Sequence, residues 1–73
     1  MSDEEIAFLA ELSKTKQLAW IADYNRICKI KSIRNHPTEE DEGVVAFFDG
    51  ASYISLCNTE PEDFIIIEEI NYK

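Results

Sequence analysis

The residues best able to do chemistry in this chain are one histidine, two cysteines and a large set of carboxylates. His36 is the only histidine, and Cys28 and Cys57 lie 8 and 21 positions away from it. A cysteine nucleophile needs a base beside it, and zinc sites usually contain a closely spaced pair of ligands. Because neither arrangement follows from this spacing, the sequence predicts no catalytic pair, no metal site and no cofactor.

The carboxylates are concentrated in the C-terminal half of the chain. Residues 35–72 contain ten acidic residues and no basic one, whereas residues 1–34 contain six basic and five acidic ones, so the second half accounts for the net charge of −8. Acid–base catalysis needs two carboxylates that converge in a cleft, and nothing in their spacing indicates such a pair. There is also no glycine-rich phosphate loop, and we therefore expect that the protein is not an enzyme.

A run of four acidic residues lies in the segment 35–42. It comprises Glu39, Glu40, Asp41 and Glu42. The preceding Asn35 and Pro37 favour an exposed loop, and the run lacks the alternating oxygen ligands and central glycine of an EF-hand. A charge distribution this one-sided is typical of a surface that binds a basic partner. The alternative interpretation is that these residues only keep the protein soluble.

Length and composition predict one small domain that spans residues 1–73. An apolar fraction of 45% is too high for a disordered chain, but a domain of this size has a modest core. Asp3 and Glu4 stand where a signal peptide is basic, and no apolar run reaches the ~18 residues that cross a membrane. We therefore expect a cytoplasmic protein without membrane contact, in which Cys28 and Cys57 are reduced thiols packed as small apolar side chains.

The first element that must position these residues is a helix at the N-terminus. Ser2 and Glu5 form a capping-box pattern, and an apolar face follows it. That face is Ile6, Leu9 and Leu12 together with Phe8. The helix either ends near Lys16 or continues through Trp20, because no glycine or proline precedes position 37. The segment 26–34 then favours a strand with a bulge, and a second helix is the alternative.

Residues 43–57 read as a β-hairpin. Apolar residues flank Asp49-Gly50, a pair typical of a two-residue type I′ turn. The register this turn implies pairs Phe48 with Ala51, Phe47 with Ser52, Ala46 with Tyr53 and Val45 with Ile54. One face would then hold Val45, Phe47, Ile54 and Leu56, and the other Val44, Ala46, Phe48 and Tyr53. Because both faces are apolar, we expect the second face to be covered within the fold or offered to another chain.

A polar turn at 58–63 and a last strand from residue 64 to 72 complete the chain. A bulge at Glu68-Glu69 would keep four apolar side chains on one side of this strand. They are Ile65, Ile67, Ile70 and Tyr72. The predicted fold class is α+β, with an N-terminal helix packed on a small antiparallel sheet of three to four strands that could curl as in SH3-like or Sm-like barrels.

These elements together predict a protein-binding surface with an apolar centre and an acidic rim. Phe48 and Tyr53 on the second hairpin face would anchor the partner, and acidic residues would replace phosphates against its Lys and Arg side chains. The predicted rim is Glu39, Glu40, Asp41, Glu42, Glu60, Glu62 and Asp63. In size and charge the chain is similar to small acidic inhibitors, many of them phage-encoded, to nuclease immunity proteins and to antitoxins. The leading hypothesis is an inhibitor or regulator that engages the nucleic-acid-binding surface of a larger protein.

Two other functions compete with this hypothesis. The doubly apolar hairpin could assemble a homodimer or a larger complex. Alternatively, the basic segment 14–34 could bind nucleic acid, with Trp20 and Tyr24 stacking on bases. Its cations are Lys14, Lys16, Arg26, Lys29, Lys31 and Arg34. A pI near 4.4 argues against direct nucleic-acid binding. In the alternative interpretation, this segment has only a structural role: its cations balance the charge of the acidic strands, and Trp20 and Tyr24 pack in the core.

Overall fold

A computed structural model describes residues 1–23, 26–50 and 52–69. In this part of the chain one α-helix precedes a five-stranded antiparallel sheet with the strand order β4-β3-β2-β1-β5. The elements are α1 Asp3–Leu12, β1 Lys16–Asp23, β2 Arg26–Asn35, β3 Val44–Phe48, β4 Tyr53–Ser55 and β5 Phe64–Glu69. Short 3₁₀ turns occupy Glu40–Glu42, Leu56–Asn58 and Pro61–Asp63. The predicted α+β class is confirmed, but the sheet has five strands and not three or four.

The N-terminus of α1 is fixed by two sets of hydrogen bonds. The backbone N–H of Ser2 donates to Oε1 of Glu5 at 2.9 Å, and the N–H of Glu5 donates to Oγ of Ser2 at 3.3 Å, which is the predicted capping box. The amino group of Met1 donates to the carbonyl oxygens of Cys57 at 3.2 Å and Thr59 at 3.0 Å. These contacts attach α1 to the 3₁₀ turn after β4.

The helix ends at Leu12, so its continuation through Trp20 is wrong. Trp20 lies in β1, where it pairs with Cys28 of β2 on one side and with Phe64 of β5 on the other. A strand with two neighbours satisfies its backbone groups on both edges, and this pairing overrides the weak helical pattern of the segment. The extra strand is the reason why the predicted count was too low.

The strand with a bulge predicted at 26–34 is confirmed as β2. Ile30 pairs with Phe48 and Ser32 with Phe47, so Lys31 is the additional residue on the bulged strand. A similar irregularity interrupts the pairing of β1 with β5, where Leu18 faces Ile66 and Gln17 faces Glu68. The bulged residue is therefore Ile67, one position before the predicted one. Ile70 and Tyr72, which the same prediction used, lie outside the described residues.

The predicted register of the hairpin is wrong by one residue. Phe47 pairs with Tyr53 and Ala46 with Ile54, and the N–H of Phe48 donates to the carbonyl of Ser52 at 2.9 Å. The hairpin loop between Phe48 and Ser52 therefore has three residues, and the central one, Gly50, has a φ of 81°. A shift of one residue transfers every side chain of a strand to the opposite face, so Tyr53 and Ile54 exchange places relative to the prediction.

The side chains of the sheet divide into an inner face, which packs against α1, and an outer face. The inner face supplies the core, in which Leu18 and Leu56 are fully covered and Phe48 is stacked on Trp20 with ring centroids 5.6 Å apart. The remaining buried members are Ile6, Leu9, Ile30, Ala46 and Phe64. Because adjacent residues of a strand alternate between faces, Phe47, the neighbour of Phe48, lies on the outer face.

Exchanging Glu5 for Gln tests the capping box through its pH dependence. The backbone N–H of Ser2, followed by its hydroxyl, lowers the pKa of the Glu5 carboxyl below its ordinary value of 4.5. Since the folded-state pKa is the lower one, the ionised carboxylate stabilises the fold above the unfolded pKa, and this stabilisation is lost as the pH falls through the folded pKa. We expect Glu5→Gln to lower the urea midpoint at neutral pH but not at a pH well below 4.5. A pH-independent difference in midpoint would contradict this.

Candidate protein-binding site

Three aromatic rings form a cluster on the outer face, which we call the outer aromatic cluster and define as His36, Phe47 and Tyr53. The ring of His36 meets that of Tyr53 edge-on with centroids 4.6 Å apart, and Phe47 lies 5.7 Å from Tyr53 and 5.8 Å from His36. All three residues are half-buried. The cluster exists because the observed β3–β4 register places Phe47 directly opposite Tyr53.

Arg34 covers one side of the outer aromatic cluster. Its guanidinium carbon lies 4.5 Å from the centroid of the Phe47 ring, a cation–π arrangement. The residue is exposed and belongs to β2, where it pairs with Val45 of β3. Such contacts at exposed sites contribute about 0.5–1 kcal/mol, enough to hold the side chain over the ring but not to remove it from solvent.

The acidic loop, defined as residues 39–42, is tied to this cluster at both of its ends. At the start, Nδ1 of His36 accepts hydrogen bonds from the backbone N–H groups of Thr38 at 3.2 Å and Glu39 at 2.9 Å. At the end, Oγ of Ser55 in β4 donates to the carbonyl of Glu42 at 3.1 Å. The loop itself is a 3₁₀ turn, and three of its four residues are exposed. Hydrogen bonds therefore hold its carboxylates in one place.

The phenol of Tyr53 reports how near the acidic loop lies. Partial burial raises the pKa of Tyr53 above its ordinary value of 10.0, and the carboxylates of Glu42, Glu39 and Asp41 raise it further. A neighbouring negative charge raises the pKa of a phenol because it disfavours the phenolate. The structure thus brings together three of the four predicted loop residues with one of the two predicted aromatic anchors.

Phe48, the other predicted anchor, is in the core. Its exposed fraction is 7%, and it stacks on Trp20 on the inner face. It therefore does not share a face with Tyr53, and the reason is the one-residue error in register. The indole Nε1 of Trp20 is buried without a hydrogen-bond partner among the described residues, which places that ring inside the fold as well. Tyr24, its predicted companion, lies outside the described residues.

The acidic residues of the 60–63 turn lie apart from the outer aromatic cluster. Pro61–Asp63 forms a 3₁₀ turn that leads directly into β5, and the N–H of Asp63 donates to the carbonyl of Glu60 at 3.1 Å. Among the described residues, no hydrogen bond or ring contact joins this turn to His36, Phe47 or Tyr53. β5 and β4, which carries Tyr53, are the two opposite edge strands of the sheet, so Glu60, Glu62 and Asp63 add to the negative field from another part of the surface.

Phe47 and His36 are the members of the site that sequence reasoning missed. The predicted register places Phe47 on the hairpin face opposite to that of Tyr53, and the sequence predicts only an exposed loop around His36. Gly50 is the available signal, since it suits a three-residue hairpin loop as well as a two-residue one. The longer loop pairs Phe47 with Tyr53.

The described residues offer little for other chemistry. No group of three or more histidine, cysteine or acidic residues within them could hold a metal ion. Cys28 is partly buried against the core, whereas Cys57 is exposed, contrary to the expectation that both pack inside; its Sγ lies 3.0 Å from Oγ of Ser55. The described part of the chain has no helix of the length and apolarity that a membrane span requires.

No family model, curated protein or solved structure matches the chain.

Neutralising Glu42 should bring the pKa of Tyr53 closer to 10.0. We expect Glu42→Gln to lower this pKa because the variant removes the largest of the charge effects, although the larger part due to burial remains. The ultraviolet absorbance of the phenolate measures it, with Tyr53→Phe titrated in parallel to subtract Tyr24 and Tyr72. Glu60→Gln is the control, since that carboxylate is not among the causes of the shift. Equal pKa values in both variants would show that the acidic loop is not beside Tyr53.

Proposed function

We propose that the protein is a small acidic binding module that inhibits or regulates a larger protein by occupying its basic, nucleic-acid-binding surface. The observation that carries this proposal is the acidic loop held beside a half-exposed aromatic cluster. The combination supports binding because it supplies two different contributions in one place. Carboxylates provide attraction at a distance, and aromatic rings provide contact area once the surfaces meet.

Attraction comes first and involves the whole chain. With a net charge of −8, the protein attracts any strongly basic surface. The acidic loop orients the partner so that its basic surface meets the outer aromatic cluster. Glu60, Glu62 and Asp63 strengthen this field from a different part of the surface. Such steering raises the association rate and weakens as salt is added, because exposed charges are screened over about 8–10 Å at physiological ionic strength.

Close contact then depends on Phe47 and Tyr53. Both rings are half-buried before binding, so a partner that covers them gains apolar burial without having to order two freely rotating side chains. Phe47 takes the anchoring role that the sequence suggested for Phe48. The Tyr53 hydroxyl remains available for a hydrogen bond to a Lys or Arg of the partner.

Pre-organisation of the loop adds to the affinity. The hydrogen bonds from Thr38 and Glu39 to His36, and from Ser55 to Glu42, fix the backbone that carries the carboxylates. A loop that is already ordered loses less conformational entropy when it binds.

The proposal extends to the shape of the sheet and the compartment. The strand order β4-β3-β2-β1-β5, with a bulge in β2 and a 3₁₀ turn between β4 and β5, supports an SH3-like or Sm-like curl. An exposed, free Cys57 suits a reducing compartment such as the cytoplasm, where we place the activity.

Neutralising part of the acidic loop should slow association with the partner. The test variant is Glu39→Gln with Asp41→Asn, and the matched control is Glu11→Gln with Asp49→Asn; all four side chains are exposed and both variants lose two negative charges. The partner is captured from the native host lysate, purified, and its association rate measured at two salt concentrations. We expect a several-fold slower rate at low salt for the test variant, a difference that shrinks at high salt.

Two results would contradict the proposal. One is an equal association rate for the test and control variants at low salt, because the effect would then follow net charge alone. The other is full affinity after Tyr53→Ala combined with Phe47→Ala in a protein whose circular dichroism is unchanged. Loss of these rings should act mainly on the dissociation rate.

A second candidate function is nucleic-acid binding, which is favoured by Arg34 over Phe47 next to two further cations of β2. Lys29 and Lys31 are exposed, and Lys29 is paired with Ala19 on the outer face. Trp20 cannot contribute to base stacking without leaving the core. Polyanion binding that is lost on Lys29→Glu with Lys31→Glu would support this function and exclude the proposed one.

A further inference from the structure

Helix α1 leaves part of the inner face uncovered along β5. Phe64 and Ile66 both lie on the inner face of this strand, but Phe64 is 9% exposed and Ile66 is 52% exposed. On the helix, Phe8 is 66% exposed, whereas Ile6 and Leu9 are buried. An open groove of about 400 Å³ separates the two elements. The apolar core therefore reaches the surface at this place.

The groove has mostly apolar walls and an acidic end. Its apolar lining includes Phe8, Leu12, Phe64 and Ile66, and its charged lining is Glu4 and Glu5. Among the described residues, no Lys or Arg lines it. Pro61, which also lines the groove, lies between the exposed Glu60 and Glu62 of the 60–63 turn.

Strand β5 adds an unpaired edge to this groove. It is the terminal strand of the sheet, and within the described residues it pairs only with β1. An edge strand exposes a row of backbone N–H and C=O groups that can accept another strand. A segment added there would place alternate side chains over the groove, which is the geometry of strand addition.

We propose that the groove between α1 and β5 binds an extended segment of a partner protein as an additional strand. Apolar side chains at alternate positions of the segment fill the groove over Leu12 and Ile66, and a Lys or Arg at one end lies against Glu4. This site goes beyond the proposed function, because it is lined by α1 and β5 and shares no residue with the acidic loop or the outer aromatic cluster.

The charges of the chain decide between a partner segment and a second copy. The two edge strands of another copy, β4 and β5, contain no Lys or Arg, and β5 contains Glu68 and Glu69. Pairing β5 with a second β5 would bring acidic segments together, and pairing it with β4 would offer Glu4 no cation; in both cases each molecule carries −8. The acidic groove is instead complementary to a segment that combines apolar and basic residues.

Two blocked peptides test the proposal on the full chain. The first has the sequence Lys-Val-Thr-Val-Thr-Val-Lys, and the second replaces both Lys residues by Glu. Amide chemical shifts of the ¹⁵N-labelled protein locate the binding site and give the dissociation constant. We expect the Lys-flanked peptide to shift amides of 64–67 and of α1, and to bind several-fold more tightly than the Glu-flanked one.

Ile66→Lys and Ile27→Lys form the matched pair of variants. Ile27 is 53% exposed and lies on β2 away from the groove, so the two substitutions place the same charge at equally exposed isoleucines. Ile66→Lys should weaken the Lys-flanked peptide about tenfold or more, as expected from losing one buried isoleucine contact, while Ile27→Lys should not. Glu39→Gln with Asp41→Asn should leave the peptide affinity unchanged.

Several outcomes would overturn the proposal. They are no binding of the Lys-flanked peptide, equal affinity for both peptides, equal affinity of the Ile66 and Ile27 variants, and shifts confined to the outer aromatic cluster. A light-scattering mass near twice 8.4 kDa that returns to the monomer value in Ile66→Lys would assign the groove to a second copy instead.

Discussion

The pairing of β3 with β4 is the constraint that divides the side chains of these two strands between the core and the outer aromatic cluster. Side chains alternate along a strand, so one register decides for every residue whether it faces α1 or solvent. In the observed register Ala46 and Ile54 share the inner face, and Phe47 and Tyr53 share the outer one. The acidic loop connects β2 to the start of β3, so the same pairing places its carboxylates beside the phenol of Tyr53.

The small size of the chain explains why the second surface exists. A helix of ten residues has to cover the inner face of a five-stranded sheet, and its position is set by the Met1 amino group on the turn after β4. Ile6 and Leu9 of α1 pack into the core, and the inner face along β5 stays partly open. Small domains bury a low fraction of their apolar surface, and here the uncovered part is concentrated in one groove with an acidic end.

Local signals in the sequence were sufficient for some elements but not for the site. The capping box at Ser2 and the bulged strand β2 depend on neighbouring residues, and both were predicted. The strand at Trp20 could not be predicted from local signals, because it pairs not only with the neighbouring β2 but also with β5, which is distant in sequence. The predicted site was wrong for a different reason, because Asp49-Gly50 suits two loop lengths. The shorter loop places Tyr53 on the inner face and gives Phe48 the anchoring role that belongs to Phe47.

The β3–β4 register can be measured directly in solution from contacts between α-protons. The hydrogen bond from Phe48 to Ser52 makes Phe47 and Tyr53 a non-hydrogen-bonded pair, whose Cα atoms in antiparallel sheets are only about 4.5 Å apart. The account predicts a strong nuclear Overhauser effect between the α-protons of Phe47 and Tyr53, together with contacts from the Tyr53 ring to His36. An α-proton contact between Phe47 and Ser52 would contradict it, because this is the close pair of the register with a two-residue loop. In that register Tyr53 lies on the inner face, and the outer aromatic cluster would not form.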